Sequence, residues 1–68
     1  MEKQPRQYLV SVGFEGKIYK ATWFSQLGFI TVESPYGTAK AERLVSGPKT
    51  AQTLLHEILE EAKARGEL

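Results

Sequence analysis

The stretch from Pro48 to Arg65 limits what this chain can become more than any other. Its apolar residues, Ala51, Leu54, Leu55, Ile58, Leu59 and Ala62, recur at i, i+3, i+4, i+7, i+8 and i+11. That spacing predicts a helix with a single apolar stripe. A lone helix cannot bury its own stripe, so the residues before it must supply a surface for it to cover. Ser46 or Gly47 suits the cap and Pro48 the first turn. Gly66 suits the stop, with Lys63 and Arg65 favourable to the dipole of the last turn.

Upstream, the pattern changes from helical to alternating. Tyr8, Val10, Val12 and Phe14 alternate with Leu9, Ser11 and Gly13, which predicts a strand. Glu15-Gly16 reads as a two-residue turn, and Lys17 to Ser25 as the returning strand. Such a turn pairs Phe14 with Lys17, Val12 with Tyr19, Val10 with Ala21 and Tyr8 with Trp23. A turn over Ser25–Gly28 leads into a third strand, Phe29 to Ser34, pairing Phe24 with Phe29, Trp23 with Ile30 and Ala21 with Val32. Ser34-Pro35-Tyr36-Gly37 reads as a turn with Pro at i+1, and Thr38 to Val45 as a fourth, weaker strand.

The expected fold class is therefore α+β: a four-stranded antiparallel β-meander, curled in one variant toward an SH3-like barrel, with one C-terminal helix on one face. Residues 1–7 read as a flexible N-terminal arm and residues 8–68 as a single ββββα domain. Sixty-eight residues allow one domain at most, and a chain this short buries only ~60% of its unfolded surface.

Strand parity divides the sheet. Tyr8, Val10, Val12, Phe14, Tyr19, Ala21, Trp23, Ile30 and Val32 share the more apolar face, joined by the small Ala39 and Ala41. The helix stripe is expected to cover that face. The other is left open, with Leu9, Ile18, Phe24, Phe29 and Leu44 set among Ser11, Lys20, Thr22, Thr31 and Lys40. Phe24 and Phe29 are expected as cross-strand neighbours there. So much exposed apolar surface suggests a contact surface. The binding residues expected from sequence are Leu9, Ile18, Lys20, Thr22, Phe24, Phe29, Thr31 and Lys40. A second copy or another protein is the expected partner. The alternative is a nucleic acid, with bases stacked on Phe24 and Phe29 and phosphates on Lys20 and Lys40.

Lys17-Ile18-x-Lys20-x-x-Trp23, then Gly28-x-Ile30, then Pro48 before a Leu-rich helix, resembles the small archaeal chromatin proteins over about the last fifty residues. The resemblance implies an SH3-like barrel and a sheet-borne Trp, here Trp23, that wedges into DNA. The chain departs from that pattern in three ways. Its net charge is only +1. It reads as four strands rather than five. Its parity sets Trp23 beneath the helix.

Charge narrows the partner class. Residues 1–49 carry seven Lys or Arg against four Glu, and residues 50–68 carry two against four. The helix is thus the acidic side of a mildly dipolar molecule, and phosphate neutralisation normally needs more cations. Within the helix, Glu61 can pair with Arg65 and Glu60 with Lys63. His56, the only histidine, falls off the apolar stripe beside Gln52 and Glu60 and reads as solvent-facing. It has no nucleophile partner, and with Glu60 it offers too few ligands for a metal site. No catalytic residue, metal ligand or cofactor is expected. No cysteine is present to form a disulfide, and no apolar run approaches a membrane span. Met1 to Gln7 lacks a signal-peptide core, so the expected location is cytoplasmic.

Overall fold

The computed structural model describes residues 6–43 and 46–68. Most of the expected arm, and Leu44 and Val45, lie outside the described residues; Arg6 and Gln7 precede the first strand and are exposed.

Two tight turns set the sheet. At Glu15-Gly16 both residues have positive φ, 53° and 79°, and Leu27-Gly28 repeats the pattern at 54° and 81°. Such turns match the right-handed twist of the strands they join. They define β1 (Tyr8–Phe14), β2 (Lys17–Gln26) and β3 (Phe29–Ser34). Pro35-Tyr36 joins β3 to β4 (Gly37–Glu42). There the Ser34 hydroxyl accepts from the Tyr36 N–H at 3.2 Å and donates to the Gly37 carbonyl at 2.9 Å. The four strands form one open antiparallel sheet in the order β1-β2-β3-β4, not a closed barrel.

The first hairpin has the expected register, from Phe14↔Lys17 to Tyr8↔Trp23. The second does not. Ser25 and Gln26 continue β2, and the turn contracts to Leu27-Gly28. Gln26 therefore faces Phe29, Phe24 faces Thr31, and Trp23 faces Val32 rather than Ile30. Ala21 loses its expected partner Val32 by the same shift. Because the slip is two residues, every side chain keeps its face.

The helix α1 runs from Gly47 to Ala64. Ser46 is its N-cap, with the hydroxyl accepting from the Lys49 N–H at 3.3 Å. At the other end the Gly66 N–H bonds the Lys63 carbonyl and the Glu67 N–H bonds the Ala62 carbonyl. With Gly66 at φ 80° this is a Schellman stop, which satisfies carbonyls the helix would otherwise leave open. Other partners replace the intrahelical pairs expected for Lys63 and Arg65. Lys63 pairs with Glu15 in the first turn. Arg65 bonds Glu67 and donates to the Tyr36 carbonyl at 3.0 Å, clamping the helix end to the β3–β4 turn.

Between helix and sheet lies the core. Ile30, Val32, Leu55 and Leu59 are fully buried, with Val10, Ala21, Trp23, Ala51, Leu54 and Ile58 around them. Tyr8 stacks on Trp23 at 4.8 Å between ring centroids. The helix N-terminus lies close against the sheet at Gly47, where a Cβ would sit 2.7 Å from Trp23 Cη2 and 3.0 Å from Cζ3.

Two outcomes follow for stability. Gly47→Ala is expected to destabilise by about 1–3 kcal/mol through overpacking against Trp23; an unchanged or raised midpoint in urea denaturation would contradict the close approach. Leu27, 91% exposed, holds a conformation costly for a side chain at φ 54°. Leu27→Asn should therefore stabilise by about 0.5–1 kcal/mol, since Asn tolerates that conformation. A lowered midpoint would argue against it.

Candidate functional site

The face turned away from α1 is built by the odd residues of β1 and β3 and the even residues of β2 and β4. Leu9, Ile18, Lys20, Thr22, Phe24, Phe29, Thr31 and Lys40 all belong to it. Leu9 is 80% exposed, Ile18 71% and Phe29 39%, while Phe24, Thr22 and Thr31 are half-buried by their neighbours.

The rows across the sheet show what adjoins what. Phe24, Thr31 and Lys40 form one row, and Gln26, Phe29 and Glu42 the next. Phe24 and Phe29 are thus diagonal rather than directly opposed, as the shorter second turn requires. In place of a phenylalanine pair, Lys40 Nζ sits 4.9 Å from the Phe29 ring centroid. That is within the range of a cation–π contact. Leu9 faces Thr22 in a row that continues to Glu33 and Thr38, and Ser11 faces Lys20. The face carries Lys20 and Lys40 against Glu33 and Glu42, so its charges balance.

Trp23 lies on the opposite side, 8% exposed beneath the helix. The DNA wedge implied by the resemblance is not presented on the open face.

From sequence, His56 reads as solvent-facing, and the acidic cluster Glu57, Glu60 and Glu61 as a solvated face or a docking surface for a basic partner; neither reading shows what that side of the helix faces. An open groove runs beside β1, with Ser11 and Gly13 on one side and His56, Glu57 and Glu60 on the other. His56 is exposed, yet its ring meets the Phe14 ring edge-on at 5.3 Å, and its Nδ1 is 3.5 Å from Glu60 Oε1. No signal in the sequence gives this groove, because its place depends on how the helix crosses the sheet. Among the described residues no three His, Asp or Glu side chains converge as metal ligands. No helix among them is long and apolar enough to cross a membrane.

Compared with protein-family models, curated proteins and solved structures, the chain matches none.

Proposed function

We propose that this chain is a non-enzymatic binding module that associates with a second copy of itself through the open sheet face. The observation that supports this best is the pairing of exposed apolar side chains with balanced charge. Leu9, Ile18 and Phe29 stand out from a face that carries two lysines and two glutamates. A surface of mixed sign can complement its own copy, whereas a polyanion would meet Glu33 and Glu42 as well as the lysines. Among the described residues no lysine on this face forms an ion pair with a glutamate. Binding is therefore the better reading than catalysis.

Magnitudes make the association weak. Strands spaced ~4.8 Å with a ~3.3 Å rise give four strands of 7, 10, 6 and 6 residues a face of roughly 450 Å². Two copies would bury less than the ~1,200–2,000 Å² of a stable interface. Burying each large apolar side chain contributes about 1.5–3 kcal/mol, against an association cost of about 4–15 kcal/mol. The dimer should dissociate in the micromolar to millimolar range.

One observation favours a nucleic acid as the second reading: Phe29 and Lys40 set a stacking ring beside a cation. That reading expects oligonucleotide retention at low salt, lost in Lys20→Glu. No retention at low salt would eliminate it.

Sedimentation over about 10 μM to about 1 mM should show a mass rising toward a dimer. Phe29→Lys, outside the core, should stay folded and monomeric throughout. A native mass that holds at one chain up to the top concentration would overturn self-association.

A further inference from the structure

We infer that the free edge of β1, with the helix wall beside it, is a docking site for an extended basic peptide that adds as a fifth strand. The inference does not rest on the self-association proposed above, since the backbone groups it invokes lie in the plane of the sheet rather than on its open face.

The backbone carries the first part. In a two-residue turn the flanking residues form a hydrogen-bonded pair, here Phe14 and Lys17. Alternation then commits Tyr8, Val10 and Val12 to β2 as well. The N–H and C=O groups of Leu9, Ser11 and Gly13 point the other way. Among the described residues none of these groups has a hydrogen-bond partner. β1 also lacks the devices that normally blunt an edge: it has no charged residue and no proline, and its pairing is unbroken. β4, the other edge, is shorter and carries Lys40 and Glu42 among its outward-pointing residues.

The groove carries the second part. β1 lines it with Ser11, Val12 and Gly13, of which Ser11 and Gly13 turn their backbone groups away from β2. A strand laid there sends alternate side chains toward His56, Glu57 and Glu60. The others fall on the open-face side, beside Leu9. Gly13 has no side chain on that side, and even an added Cβ would lie 3.8 Å from Ile18 Cδ1. An incoming residue at that row therefore meets Ile18 directly. Ile18 and Leu9 are among the most exposed large apolar residues described.

Charge complementarity selects the occupant. The wall offers two carboxylates and no Lys or Arg. Side chains facing it should be basic, and those on the other side aliphatic. A second copy of β1 fits poorly. It brings no charge, and antiparallel twofold pairing would set both helices on one side, with Glu57 and Glu60 facing their equivalents.

The probe is an end-blocked heptapeptide of alternating Lys and Val, added to isotope-labelled protein while amide exchange is followed. Binding should slow exchange at Leu9, Ser11 and Gly13. It should weaken roughly threefold or more in Glu57→Gln/Glu60→Gln, as expected for exposed charge pairs. The same peptide N-methylated along its pairing edge should not bind, and Phe29→Lys protein should bind like the native. Any of three results would overturn the inference: no binding at millimolar peptide, equal binding of the N-methylated form, or loss of binding in Phe29→Lys.

Discussion

The contact on which the structure depends is that between the Trp23 ring and the backbone of Gly47. Trp23 is the largest side chain on the covered face, and the helix must begin directly above it. Only a residue without a side chain lets the helix descend that far. Once that end is seated, the far end is held by Arg65 at the Tyr36 carbonyl and by Lys63 at Glu15. Between the two ends, Ala39 and Ala41 of the sheet and Ala51 and Ala62 of the helix keep the layers close. Leu55 and Leu59 then lose all contact with water.

One helix covers one face. Among the described residues there is no second layer, so a whole sheet face and two sheet edges stand uncovered. The two exposed features differ in chemistry. The face offers apolar side chains and balanced charge, which suits a like surface. The β1 edge offers unpaired backbone groups beside two carboxylates, which suits an extended cationic chain. Both proposals follow from what the helix fails to cover, and each can fail without the other.

Much of the fold was legible in the residues because parity is robust. Alternation in β1 and the Glu15-Gly16 turn specify each other, so the first hairpin register and the buried side of Trp23 could be read directly. The second register could not. Leu27 occupies a backbone region that leucine rarely adopts, and propensity argues against it. The only sign was Gly28 following it. The slip left every side chain on its face, so the open-face residues survived a wrong pairing, though Phe24 and Phe29 lost their direct opposition. The groove was beyond reach for a different reason. Gln52, His56 and Glu60 are polar residues on the outer side of a helix, and nothing in their spacing says that a sheet edge lies opposite.

The most direct test of this account is the proton–proton Overhauser spectrum of the native chain. The account predicts cross-peaks from the Trp23 indole protons to the Gly47 Hα protons and the Ile30 methyl groups, with none from the Phe24 ring to Leu55 or Ile58. A Phe24 ring in contact with the helix, and a Trp23 ring showing no contact with Gly47, would contradict it.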